Sequence, residues 1–511
     1  MRLPRALVLL AAAHEGASSQ KVVSASFRRV EFPPDLVQVT RRGTLDLAAL
    51  NNVTGGGYYS AVRVGTPGQR ATLHIDTGSS DTWILDRQAD LCSSRSMQRQ
   101  YGTGCSETFD SGASSTFEVV APGGFDITYL DGKRIRGDYV RDVVGFGGGG
   151  GGKAIIRGQQ LGLAVQTTKG AGLLGLGFTE ATTSEREYPT ILDNMVTQGQ
   201  IGRKAYSIWL NDLSSAEGTV LFGGVDTEKY IGKLTTLPLV EDYYSGRVTS
   251  YSVALTGVAV EAPGQEEAAE LAGGGSFNAS TVLDSGSTVC LLPDGVTKAI
   301  WARYGVVDAG YGIVDCEWAG PRGGGHAVEF EFAGGGGGGG DLRVRVPLEE
   351  MVLDNLGGVA GQLEGLTPFG RPCMFGIQSS ATFGVESERF ALLGDTFLRS
   401  AYVVYDEANR QVGIAQANLN ASGSNVVELG AGGTALPTAT GVASQVTTAA
   451  GADPARTDGE GAGTTAASAT GEPAAPSASE SASAASRRLG GGSAASLVSV
   501  FAVAGAVLLA G

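Results

Sequence analysis

Residues 73–85 read LHIDTGSSDTWIL, and residues 281–292 read TVLDSGSTVCLL. Each runs from an apolar stretch into Asp-Thr/Ser-Gly-Ser and out again into apolar residues. A second echo follows each copy: Leu173-Leu174-Gly175 after the first, Leu392-Leu393-Gly394 after the second. Self-similarity on this scale means that the chain is built twice. Two related halves, each with one Asp at the end of a strand, predict an approximate twofold axis with Asp76 and Asp284 meeting at it.

The chemistry explains why the motif must be doubled. Two carboxyl groups about 3 Å apart cannot both ionise, so one loses its proton easily and the other keeps it. Such a pair titrates as a unit. One member can take a proton from a water while the other donates a hydrogen bond to a developing oxyanion. The neighbouring residues have matching tasks. Gly78 and Gly286 allow a tight turn with backbone amides aimed at the carboxylates. Thr77 and Ser285 carry hydroxyls that can bind across the axis. Ser79 and Ser287 can hold the outer carboxylate oxygens.

Other paired or single-Asp chemistries fit poorly. A lone Asp-Thr-Gly also surrounds the Asp of subtilisin-like serine proteases, but the His and Ser segments of that family are missing. His74 reads as a strand residue. A glycosidase also uses two acids, yet it has no use for a symmetric repeat.

The 511-residue chain carries a formal net charge of −15, which argues against nucleic-acid binding. With three histidines, His14, His74 and His326, it has little for metal-ligand or His-base chemistry, and no metal or organic cofactor is implied. The five cysteines suffice for two bridges and one spare thiol. From Tyr58 to about Ala417 the pattern is many short strands punctuated by Gly, Asp and Asn turns, which predicts a mostly β fold. Short helices are expected over 189–198, 295–304 and 348–355. Two glycine tracts, Gly147–Gly152 and Gly334–Gly340, read as hairpin-tip insertions. The first lacks the Lys-Ser/Thr of a phosphate-binding loop.

Both ends read as targeting segments. Arg2 and Arg5, an apolar run over 6–13 and small residues over 16–19 form a secretory signal, residues 1–19. Residues 20–42 are expected to be a propeptide. The Arg41-Arg42 pair is either its processing site or surface charge, and both readings stay open. Residues 419–495 are rich in Ser, Thr, Ala and Gly and read as an extended stalk. Residues 496–511 end in LVSVFAVAGAVLLAG with no basic residue beyond it. With the small residues and Arg487-Arg488 upstream, this is the pattern of a glycosylphosphatidylinositol (GPI) attachment signal, implying a membrane anchor at the cell surface. Plain secretion is the alternative. Sequons occur at Asn52, Asn278 and Asn420.

The segments YYSAVRVGTPGQ (58–69), DTGSSDTW (76–83), AGLLGLGF (171–178), GTVLFGGVDTEKY (218–230) and FALLGDTFLRSAYVVYDEANRQVGIA (390–415) together resemble the pepsin-like aspartic protease family. Within it, the chain is similar to the fungal yapsin-like members held at the cell surface. The resemblance implies an all-β, bilobal fold with pseudo-twofold symmetry and a central cleft, its amino-terminal lobe over 55–237 and its carboxy-terminal lobe over 238–418. It implies a monomeric endopeptidase acting on extended polypeptide segments at acid pH, with Asp76 and Asp284 catalytic.

It also matches residues 127–137 to a mobile flap, with Tyr129 as the flap tyrosine and Trp83 as its hydrogen-bond partner. An acid at Asp131 in similar enzymes favours Lys or Arg at the cleavage site. Bridges Cys92–Cys105 and Cys316–Cys373 are implied, leaving Cys290 as a buried thiol. A catalytically idle binding protein of the same fold would have lost Asp76, Asp284 or Tyr129, and this chain has all three.

Overall fold

A computed structural model describes residues 22–29, 57–146 other than 102 and 131, 154–332 other than 216 and 266, 342–356, 360–363, 366–434, 436–437 and 440–441. The signal segment, most of residues 20–42, Asn52, Asp131, both glycine tracts, most of the stalk and the apolar tail lie outside the described residues.

The chain is mostly strand. The amino-terminal half supplies β1 (Val23–Arg29), β2 (Tyr58–Val64), β3 (Gln69–Asp76), β4 (Trp83–Leu85), β5 (Glu118–Thr128), β6 (Arg134–Phe146), β7 (Ala154–Gln166), β8 (Gly172–Gly175), β9 (Ala205–Trp209) and β10 (Glu217–Phe222). The order β9-β10-β1-β2-β3-β8-β4-β7-β6-β5 continues at its β9 end into Ala401–Asp406 and Gln411–Ala417 from the other half, and then Tyr230–Pro238. One sheet thus joins the two lobes. A second, eight-stranded sheet forms the body of the carboxy-terminal lobe.

Alternation accounts for the strands at the sheet faces. In β2, Tyr58, Ser60, Val62 and Val64 point inward while Ala61 and Arg63 face solvent. The strands nearest the axis are instead buried without alternation, though not wholly apolar in sequence. Ala279–Leu283, Phe390–Leu393 and Ala401–Asp406 are buried along their whole length, as expected of strands covered on both faces.

The two halves repeat one local pattern. β3 runs parallel to β8, with Ile75 opposite Leu174 and Asp76 opposite Gly175. Ala279–Leu283 runs parallel to Phe390–Leu393, with Leu283 opposite Leu393. In each half the strand after the Asp loop returns antiparallel to the Leu-Leu-Gly strand: Trp83 faces Leu173, and Leu291 faces Leu392. The glycines of the echo mark a close crossing. A Cβ on Gly394 would lie 2.3 Å from Ser287 O, and one on Gly175 would lie 2.6 Å from the Ser80 carbonyl carbon.

Two of the three expected helices form, Ile191–Thr197 and Asp294–Tyr304. The latter buries Val296, Ile300, Trp301 and Tyr304 and ends on Gly305 at φ +65°. The third is a correction. Leu348–Met351 is a single 3-10 turn that passes into the strand Val352–Leu353. Glu350 turns inward to meet the buried Arg399, Nε to Oε2 at 2.5 Å, and Val352 pairs with Phe375. A continuous helix would break both contacts. Part of the expected propeptide is also ordered: β1 lies between β10 and β2, with Val23 buried.

Candidate active site

Asp76 ends β3, and Asp284 directly follows the strand Ala279–Leu283. Both are fully buried, and their carboxyl groups are close together: a Cβ built on Gly286 would lie 2.5 Å from Asp76 Oδ1 and 3.0 Å from Asp284 Oδ1. The two loops are locked to each other by reciprocal contacts. Thr77 Oγ1 donates to Leu283 O at 2.8 Å and accepts from Ser285 N at 3.0 Å. Ser285 Oγ donates to Ile75 O at 3.0 Å and accepts from Thr77 N at 3.3 Å. Each hydroxyl therefore binds the backbone of the opposite half, which fixes the separation of the two carboxyls.

Within each half the carboxylate is held at both oxygens. Gly78 N donates to Asp76 Oδ1 at 2.9 Å, and Ser79 Oγ donates to Oδ2 at 2.5 Å. Gly286 N and Ser287 Oγ do the same for Asp284, at 2.8 and 2.6 Å. Only glycine fits at 286, because a Cβ there would sit 2.5 Å from Asp76 Oδ1.

Burial pushes both acids above the ordinary carboxylate value. For Asp284 the charge of Asp76 adds to burial and the rise is large. For Asp76 the rise is held back by the Ser79 hydroxyl and by the nearby Lys169 ammonium. The pair therefore retains a proton at pH values where isolated carboxyls have lost theirs.

Tyr129 lies just beyond β5, in the β5–β6 hairpin. Gly132 N donates to its carbonyl at 2.8 Å, and its own N donates to Lys133 O at 2.9 Å, closing the turn. Trp83 Nε1 donates to Tyr129 Oη at 2.7 Å. Both bridges are present, Cys92–Cys105 and Cys316–Cys373, and Cys290 is a buried free thiol. Asn278 is half-buried, with its Oδ1 enclosed. Asn420 is exposed, and its Nδ2 donates to Asp212. His74 is stacked on Tyr59 and pushed down to about 3 by burial and the Lys169 charge, so it is neutral and no base.

Two residues escaped the sequence reading. Asp81 is fully buried and accepts four hydrogen bonds: from Tyr139 Oη at 2.8 Å, Tyr188 Oη at 2.7 Å, Thr183 N at 2.7 Å and Thr183 Oγ1 at 3.1 Å. It ties the motif loop to β6, the strand that leads out of the flap. The signal was an acid five residues after Asp76 in an otherwise apolar exit strand. The second is Lys169, whose Nζ lies 4.0 Å from the centre of the Tyr129 ring.

The chain has known relatives. The family model described as "Eukaryotic aspartyl protease" matches residues 57–417. The chain is 35% identical over 76% of its length to a probable aspartic-type endopeptidase of Aspergillus fumigatus, covering 74% of that protein. It is 34% identical to an acid protease of Saccharomycopsis fibuligera, over 70% of this chain and 80% of that one. It is 31% identical to secreted aspartic protease 8 of Candida albicans, over 75% of this chain and 81% of the relative. The chain belongs to the eukaryotic aspartyl protease family and is an aspartic-type endopeptidase.

Proposed function

We propose that Asp76 and Asp284 are the catalytic pair and that they hydrolyse peptide bonds directly through a water, with no covalent intermediate. The observation that carries this is the fully buried carboxyl pair whose two loops are locked together by Thr77 and Ser285. The ionised member takes a proton from a water seated between the two acids. The protonated member donates to the scissile carbonyl and steadies the tetrahedral oxygen as charge develops. Burial strengthens both interactions, and the serine and glycine donors hold the outer oxygens so that no reorganisation is needed at the moment of reaction.

The flap has the gating role. Closing over an extended peptide, it brings Tyr129 onto the substrate and excludes water, while Trp83 fixes the tyrosine hydroxyl. Asp131, two residues after Tyr129 in the sequence, favours a basic residue next to the cleaved bond. The catalytic unit is monomeric and works best at acid pH, because the pair must keep one proton.

The reading of residues 1–19 and 496–511 supports activity at the cell surface. Residues 1–19 direct secretion, residues 20–42 are cut from the rest of the chain on activation, and residues 496–511 are exchanged for a GPI anchor that leaves the enzyme on its stalk, as in yapsin-like proteases. The name of the Candida albicans relative supports the secretory route. Asn52, Asn278 and Asn420 are the glycan acceptors.

The test is cleavage of a mixed peptide library between about pH 3 and 7, with and without pepstatin, by processed wild type and by Asp284→Ala. Pepstatin-sensitive cleavage that disappears in the variant is expected. Cleavage that survives in Asp284→Ala would sink the assignment of the pair.

A further inference from the structure

The face of the flap tyrosine carries a cation. Lys169 Nζ sits 4.0 Å from the Tyr129 ring centre, inside the range of a cation–π contact. Its backbone is clamped. Thr167 Oγ1 donates to Lys169 O and accepts from Lys169 N, both at 2.9 Å, and Thr167 N donates to Asp90 Oδ1 at 2.9 Å. The next residue, Gly170, accepts from Ser106 N at 2.6 Å and lies so close to the 103–106 loop that a Cβ would meet Gly104 O at 2.0 Å. The Cys92–Cys105 bridge anchors that loop. Lys169 therefore stands on a braced platform, three residues before β8, the strand that pairs with β3 up to Asp76.

The ammonium is only half-buried, and no carboxylate pairs with it among the described residues. Its field reaches Asp76 and His74 and favours the anionic acid and the neutral imidazole. A closing flap would strip water from this cation. A neutral side chain packed beside it would leave it without a partner, and a basic one would repel it.

We propose that Lys169 is a specificity-determining residue that receives the carboxylate of a substrate Asp or Glu side chain in the subsite beneath the flap, next to the scissile bond. This rests on the reading of Asp76 and Asp284 as the catalytic pair. It concerns the cation on the Tyr129 ring, whereas the preference assigned to Asp131 is a separate determinant. Scoring each peptide position separately keeps the two apart.

The experiment compares kcat/KM for peptide sets that differ only by Glu, Gln or Lys at single positions around the cleaved bond. The enzymes are processed wild type, Lys169→Arg, Lys169→Met and Lys169→Glu. Wild type is expected to prefer Glu over Gln about tenfold at one position, with the preference fading below about pH 4 as Glu protonates. Lys169→Arg should keep the preference, Lys169→Met should bring the ratio to about one, and Lys169→Glu should turn it toward Lys. A wild-type ratio of one at every position would overturn the proposal, as would a preference unchanged in Lys169→Met. Failure of the catalytic reading has a different signature: no peptide of any charge is cleaved, or cleavage survives in Asp284→Ala. Either result would take the Lys169 assignment down with it.

Discussion

The loops after Asp76 and Asp284 share backbone, hydrogen bonds and crossing strands, and then diverge five residues on. Asp81 stands where the second half has Val289, and Trp83 where it has Leu291. In the second half this exit is apolar, with Val289 and Leu291 both buried. In the first it is polar: Asp81 gathers Tyr139, Thr183 and Tyr188, and Trp83 reaches Tyr129. The symmetric parts hold the two carboxyls. The asymmetric parts fasten the β5–β6 hairpin to one side. Duplication accounts for the pair, and the departures from duplication account for how substrate meets it.

Making the halves more alike should expose this division. Asp81→Val imports the residue of the second half and leaves two tyrosine hydroxyls and the Thr183 amide without their acceptor. The expected cost is about 3 kcal/mol or more of folding stability, read as a fall in Tm. Asp81→Asn should cost less, since it keeps one acceptor oxygen. Equal, small effects for both would mean that the network does not brace the flap base.

Gly286→Ala tests the symmetric part. Its Cβ would press on Asp76 Oδ1 from across the axis, so kcat/KM is expected to fall about a hundredfold through misplacement of the pair, with Tm much less affected. Unchanged kinetics would show that the carboxyls tolerate displacement.

The pair should also leave a mark on stability. The folded value of Asp284 is raised above its ordinary 3.8 by burial and by Asp76, and Asp76 is raised in the same direction. Stability from a raised acid is fully present below about pH 4 and is lost as pH rises through the folded value. The difference in Tm between wild type and Asp284→Asn should therefore shift against wild type as pH rises. A pH-independent difference would contradict the raised values.

The smallest effect concerns β1. If processing cuts at Arg41-Arg42, the peptide holding Val23–Arg29 keeps its pairing with β10 and β2. It should then co-purify with the enzyme and separate under denaturant. Its immediate loss on cleavage would mean that covalent connection holds the strand in place.

The doubled Asp motif and its Leu-Leu-Gly echoes made the two-lobed β fold legible, because a crossing too tight for any Cβ demands glycine at 175 and 394 in sequence as in space. The strands were legible from alternation and apolar runs. The region over 348–355 was not, because its apparent helical pattern gives way to a buried ion pair between Glu350 and a residue 49 positions away. Asp81 was invisible for a similar reason: its partners lie 58 to 107 residues further along the chain. Lys169 gave no periodic signal, and its position against Tyr129 exists only in three dimensions.

The central claim is that the two carboxyls act as one unit, and the most direct test is kcat/KM against pH for wild type, Asp76→Asn and Asp284→Asn on one neutral peptide. Wild type should give a bell with both limbs set by the pair. Each replacement alone should lower activity about a thousandfold or more at every pH. A single variant that keeps activity within about tenfold of wild type, or that merely moves one limb of the bell, would contradict the account.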